Sequence, residues 1–320
     1  MANGQSIILH QYEASPFAEK VRLALRLKNL AWSSVDIPTI MPKPDLMPLT
    51  GGYRRTPIMQ IGADIFCDTA LILKKLEQRF PEPPLINAGQ EGTHSMIASW
   101  TDRQWFPLSV GIVFGSNADR IPEALRQDRE AMTGRTYGGD ELVAKLPMLK
   151  DQWRAHFSLL EERLTAGRGA GAGSWLFGSK PGMSDVHAHM NVWFVSRNVP
   201  DFAKACLREA PRVQDWYDRL IEIKGQDAES LTGEDALDIS RHSAPRLLAA
   251  STGTEPQGLR PGDRVAISPD DTAPCWVEGE LVSAQPNQIT LQKVKNAIST
   301  LHIHFPRAGY LVKKLNSDEA

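Results

Sequence analysis

The chain carries 320 residues, too many for one average domain and enough for two or three, each able to bury a core without staples. Its 36 basic and 38 acidic residues nearly cancel, and the formal charge of -2 excludes the broad field that draws nucleic acid or an anionic membrane, leaving small neutral or weakly charged substrates. Three widely spaced cysteines, Cys67, Cys206 and Cys275, form no CxxC pair and exclude a disulfide framework, which points to a reducing compartment.

The opening "MANGQSIILHQYEA" lacks a basic segment and a long apolar core, and no apolar run reaches the roughly 18 to 20 residues of a membrane span, so a cytoplasmic location is expected. Within it, "IILHQY" reads as a β-strand. The following "PFAEKVRLALRLKN" sets Phe17, Val21, Ala24 and Leu25 at helical spacing. "WSSVDI" is a second strand, and Pro38, Pro42, Pro44 and Pro48 make the next stretch a loop, because each removes a backbone donor and fixes φ. "TPIMQIG" and "DIFC" read as a hairpin turning at Gly62-Ala63-Asp64, and "DTALILKKLEQRF" as a helix with Ile72, Leu76 and Phe80 on one stripe. The order is βαβ then ββα over residues 1–85.

Residues 91–224 change texture to long helical stretches such as "THSMIASWTDRQWF" and "DFAKACLREAPRVQDWYDRLIEI", with the glycine-rich break "GRGAGAG" expected as a mobile loop. Residues 225–257 hold a short helix at "GEDALDIS" and then a linker through "ASTGTEPQG". From 258 to 320 the alternation is β: "CWVEGELVSA", "QITLQKV" and "STLHIHF" are separated by Pro-Gly, Pro-Asn and Lys-Asn turns, and predict a small barrel-like module that folds separately. The fold class is therefore multidomain α+β.

Three short stretches carry chemistry. Ser15-Pro16 sits where the first strand meets the first helix. The bland reading is a helix cap, since the hydroxyl accepts an orphan backbone N–H and Pro has none to lose; the chemical reading is a hydroxyl aimed at a thiol. Thr56-Pro57 opens a strand, where proline belongs at an edge or a special turn; were the bond cis, the Thr56 backbone would face outward and pair with an extended peptide. Asp68-Thr69 opens the third helix, a cap again, yet one whose free N–H groups suit a carboxylate and whose carboxylate suits an ammonium.

This order, with "SPF" after the first strand, "RRTP" at the third and "DTALI" at the last helix, resembles the thioredoxin-like half of the glutathione transferase superfamily, with the local motif closest to the plant tau class. The resemblance spans roughly residues 6–224. It implies Ser15 as the catalytic hydroxyl, Lys43 in "PKPDL" as a contact for the glycyl carboxylate of glutathione, Arg55 in the place of the family's basic residue before the cis-proline element, Thr56 with a cis Pro57 as the backbone clamp on the cysteinyl part, and Asp68 with Thr69 at the γ-glutamyl end. It further implies glutathione as co-substrate, a small apolar electrophile as second substrate, a detoxification role and a homodimer, without nucleic acid, membrane or metal. The alternative is a binding or regulatory scaffold of the same fold that has lost turnover. Two positions depart from the pattern: Asp68 stands where many relatives carry Glu, and Gly182 in "KPGMSDVHAHM" stands where Ser or Thr caps. Asp185, three residues on, can still accept the Gly182 backbone N–H, a structural role.

Other residues read as scaffold. Trp100, Trp105, Phe106 and Trp193 offer walls for an apolar substrate but are expected mainly in the core. Cys67 reads as a small buried hydrophobe. His187 and His189 point to different faces of a helix. His302 and His304 share a strand face, expected to look at solvent opposite Leu301, Ile303 and Phe305, and no third metal ligand can be placed beside them.

Overall fold

The computed structural model describes residues 6–166, 175–248, 255–293 and 300–315. The "GRGAGAG" break, most of the linker and the Lys-Asn turn lie outside these. The first part runs β1 (Ile7–Gln11), α1 (Pro16–Leu27), β2 (Trp32–Asp36), the one-turn α2 (Met47–Thr50), β3 (Ile58–Ile61), β4 (Asp64–Cys67) and α3 (Thr69–Arg79). β1 pairs parallel with β2 and antiparallel with β3, and β3 turns tightly into β4 through Gly62 at φ +60°. Helices follow: α4 (Glu91–Ser99), a π-helical turn Trp100–Trp105, α5 (Phe106–Ser116), α6 (Glu123–Thr133), α7 (Gly139–Ala166), α8 (Met183–Asn198), α9 (Pro200–Glu209) and α10 (Pro211–Ile221).

The expected short helix is α11 (Gly233–Arg241), preceded by β5 (Glu229–Leu231), which pairs parallel with β2 at the sheet edge. The β-rich run then gives β6 (Arg264–Pro269), β7 (Val277–Gln285), β8 (Gln288–Lys293), β9 (Leu301–Pro306) and β10 (Tyr310–Lys314).

The expectation of a module that folds separately is corrected here. β9 pairs parallel with β4, so among the described residues the strands join one ten-stranded sheet in the order β10-β6-β7-β8-β9-β4-β3-β1-β2-β5. The cause lies in β1, whose near-continuous apolar run buries both faces. Ile7 and Leu9 face the core shared with α1, α3 and the helical domain, while Ile8 faces a second core. On that second side α2 is only four residues long. Val265, Val277, Leu291, Ile303 and Phe305 of the C-terminal strands, with Leu237 of α11, cover what α2 cannot. Gly51 marks the closeness of the approach: its φ is +68°, and a Cβ there would stand 2.9 Å from Val277 Cγ1.

The outward-facing expectation for His302 and His304 is also overturned. Both are buried, because β9 has partners on either side and its polar face meets Asp64 of β4. The His304 ring stacks on Phe66, with centroids 4.5 Å apart.

In the helical part, Asp185 is buried and accepts from the Gly182 N–H at 2.9 Å, from Leu176 N–H at 3.1 Å and from Trp216 Nε1–H at 2.7 Å. That is the structural role read for it. A Cβ on Gly182 would stand 2.9 Å from the Leu85 carbonyl oxygen, which accounts for glycine in place of a Ser or Thr cap. Cys67 is buried, as its apolar neighbours required. Among the described residues no helix is long and apolar enough to cross a membrane.

Candidate functional site

Ser15, Lys43, Arg55, Thr56, Pro57, Asp68 and Thr69 all border one cleft of about 1110 Å³ between the sheet edge and the helical domain. Ser15 is the N-cap of α1, with extended backbone and an Oγ that accepts the Ala18 N–H at 3.1 Å. The cap reading is thus realised, and among the described residues no hydrogen bond is donated by the Ser15 hydroxyl. The Thr56–Pro57 peptide is cis. Lys43 lies behind it, donating from Nζ to the Arg54 carbonyl and to Thr56 Oγ1, each at 3.1 Å. Burial, reinforced by the guanidinium charges of Arg129 and Arg54, pulls the Lys43 ammonium down to about 8.

Asp68 has φ +75° and caps α3, its Oδ1 accepting the Ala70 N–H at 2.9 Å. Its Oδ2 accepts from the Tyr310 hydroxyl at 3.0 Å, and Tyr310 in turn lies 2.8 Å from the Tyr53 hydroxyl. Burial pushes both phenols well above their ordinary range, so both remain donors at neutral pH. Arg55 is engaged by the loop between β6 and β7: its guanidinium pairs with Asp271 and donates to Thr272 Oγ1 at 2.8 Å. Next to it Arg103, from the π-helical turn, pairs with Asp270 at 2.8 Å.

The far wall comes from the helical domain. Phe106 stacks edge-on against Phe17 at 4.7 Å, and Val110 and Phe114 continue the apolar surface. Of the four aromatics considered from sequence, Phe106 alone is among the cleft residues; Trp105 is fully buried in the core. Deeper in, Asp102 accepts from the buried Lys20 Nζ at 2.5 Å, and burial raises its carboxyl above the usual range despite that attraction. His187 also borders the cleft, with Nδ1 unpartnered among the described residues and burial holding the imidazole neutral.

Tyr53, Tyr310, Asp271 and Thr272 were missed from sequence. Tyr310, Asp271 and Thr272 stand 242, 216 and 217 residues from the motif residues they touch, and Tyr53, two residues before Arg55, gains its meaning only through Tyr310. The one available signal was the acidic pair in "SPDD" at the end of a strand, a turn rich in charge for so short a connection.

A family profile described as "Glutathione S-transferase, N-terminal domain" matches residues 9–84. The crystal structure of a GST-like protein from Pseudomonas syringae is 35% identical, with 97% of this chain and all of that one covered at a TM-score of 0.79. Glutathione S-transferase U3 of Arabidopsis thaliana is 25% identical over 146 residues, which is 42% of this chain and 64% of its own length. The Stringent starvation protein A homolog of Pasteurella multocida (strain Pm70) is 26% identical over 132 residues, 40% of this chain and 61% of its own. The chain thus spans a little over three fifths of the length of the curated relatives it matches.

Proposed function

Because the chain belongs to the glutathione S-transferase superfamily, we propose that it binds glutathione in this cleft and activates the thiol for attack on a small apolar electrophile. The observation that carries the reading is the convergence of Ser15, the Thr56–Pro57 edge and Asp68 on one cleft, with a hydroxyl hydrogen at the N-terminus of α1. A cysteine-type thiol has a pKa of about 8.5, so only a few per cent is thiolate at neutral pH. Ser15 donates to the sulfur anion and the positive end of α1 adds to the effect, so the thiol loses its proton to solvent more readily. The sulfur lone pair then forms the C–S bond, and the electrophile's leaving group departs with its electron pair or, in an addition, the carbanion takes a proton from water.

In this reading the cysteinyl part pairs with the Thr56 backbone as an added strand, and the γ-glutamyl ammonium meets Asp68, oriented by Tyr310. Its carboxylate meets the N-terminus of α3 at Thr69. The glycyl carboxylate meets Arg55 and Lys43. The protein works as a cytoplasmic homodimer in detoxification chemistry.

A scaffold without turnover is favoured by one specific feature: Arg55 and Asp68 already have partners from the C-terminal strands, Asp271 and Tyr310. Calorimetry with reduced glutathione, followed by thiolate titration of the complex near 240 nm ultraviolet absorption, separates the readings. Binding with a thiol pKa lowered by about one unit or more, lost in Ser15→Ala, is the transferase outcome. Binding with an unshifted thiol is the scaffold outcome, and absence of binding removes both.

A further inference from the structure

We propose that Asp64, His302 and His304 form a binding site for one divalent transition-metal ion of the zinc class, at the seam where β9 joins β4. The parallel register sets Asp64 opposite His302 and Phe66 opposite His304, so three ligand-bearing side chains meet on one face of the sheet. Their ligand atoms all lie within 4.8 Å of one another, and all three residues are buried. None of them borders the glutathione cleft, so the site stands independently of the function proposed above.

The atoms that would be ligands are distinguished by what holds their opposite sides. His304 has Nδ1 at 2.9 Å from Thr290 Oγ1 and 3.1 Å from Gln288 Nε2, which leaves Nε2 facing Asp64 Oδ1 at 2.9 Å. His302 is buried, and its Nδ1 is without a hydrogen-bond partner among the described residues. Asp64 Oδ2 accepts the Arg246 N–H at 3.1 Å and lies 3.4 Å from the Arg79 guanidinium, leaving Oδ1 toward the histidines. His304 and Asp64 are therefore anchored from behind, the arrangement by which outer partners fix the tautomer and orientation of metal ligands.

The unpartnered Nδ1 is the sharpest element. A buried polar atom without a hydrogen bond carries an uncompensated desolvation cost, and a ligand for it removes that cost. Two imidazoles and one carboxylate suit zinc rather than magnesium or calcium, which prefer all-oxygen shells. Ligand atoms around a tetrahedral zinc stand roughly 3.3 Å apart, so the rings need to turn inward by about 1 to 1.5 Å. Without metal, His304 Nε2–H donates to Asp64. Binding puts the ion on Nε2 and the ring's single proton on Nδ1, where Thr290 Oγ1 accepts it, so the imidazole stays neutral, and water takes the fourth position. The ion would fasten the C-terminal strands to the first domain's sheet.

The test uses the full chain without a histidine tag, stripped by chelator and dialysed. Calorimetry with zinc chloride, and visible absorption on titration with cobalt chloride, are expected to give one equivalent bound with four-coordinate cobalt bands. His302→Gln is expected to weaken zinc binding about a hundredfold, and Thr290→Val, which touches only the back of His304, by about tenfold or more. Circular dichroism checks that each variant is folded, and Thr290→Val decides the matter if His302→Gln is not. A folded parent that takes up neither ion stoichiometrically, or folded variants that bind like the parent, would overturn the proposal and leave the cluster a hydrogen-bonded seam.

Discussion

Asp271→Asn tests whether the C-terminal strands set the affinity of the cleft. In the parent, Arg55 is already paired with the Asp271 carboxylate, whose side chain is 36% exposed, so an incoming glycyl carboxylate meets a neutralised guanidinium. The substitution keeps an acceptor oxygen for Arg55 and removes the negative charge. Two unit charges about 6 Å apart interact with roughly 0.7 kcal/mol at the dielectric of water and roughly 2.8 kcal/mol at an effective value of 20. Partial exposure places this pair between those limits, so glutathione is expected to bind about tenfold more tightly to the variant. The gain should shrink as salt is raised from low to physiological ionic strength, where the Debye length is about 8 Å. Calorimetric titrations of parent and variant at both ionic strengths measure it. An equal or weaker affinity in a folded Asp271→Asn protein would refute the reasoning, since it would mean that no ligand carboxylate shares Arg55 with Asp271.

Two further outcomes follow from the packing and the buried imidazoles. Gly51→Ala places a Cβ 2.9 Å from Val277 Cγ1 at a φ of +68°, so urea unfolding should show a loss of about 2 to 4 kcal/mol from backbone strain and overpacking together; an unchanged midpoint would mean that the C-terminal strands sit more loosely on α2 than described. Burial, only partly offset by the Gln60 hydrogen bond, lowers His10 to about 4, so the unfolded chain binds a proton below pH 6.5 that the folded one refuses. That stability is complete above pH 6.5 and is lost as the pH falls toward 4, about 2 kcal/mol from His10 alone between pH 7.5 and 5. His94, His187 and His189 are lowered in the same direction, again chiefly by burial. A urea midpoint equal at pH 7.5 and 5 would contradict burial of these imidazoles in the neutral form.

The first 85 residues were legible because their signals are local. Ser15-Pro16 states a cap, Gly62-Ala63-Asp64 states a hairpin, and Asp68-Thr69 states a helix start, each within a few residues. Docking of β9 against β4 has no such signal: it is a parallel pairing between segments more than 230 residues apart, and neither segment changes composition to announce it. His302 and His304 show why the alternation rule failed there. A period of two distinguishes the faces of a strand without saying what covers each, and polar residues facing water read the same as polar residues facing Asp64, Thr290 and Gln288. Tyr310 was invisible for the same reason, because its partners, Asp68 and Tyr53, belong to the first domain.

The cleft and the seam are joined through the same two pieces of chain. β4 carries Asp64 at its start and delivers Asp68 directly after its end; β9 carries His302 and His304 and leads to Tyr310 four residues after its last. A shift of β9 along β4 would therefore move the Tyr310 hydroxyl away from Asp68 as it breaks the His304–Asp64 bond. Deleting residues from 258 onward is for this reason no clean test of the C-terminal strands. It would uncover Ile8, Ile58 and Ile65 on the second core while removing the partners of Arg55 and Asp68 together, so loss of binding would follow from unfolding alone. Asp271→Asn, Thr290→Val and Tyr310→Phe, which keeps the ring packed on Phe305, leave the apolar seam in place. They are the changes that distinguish a wall that holds the first domain together from one that also shapes what the cleft accepts.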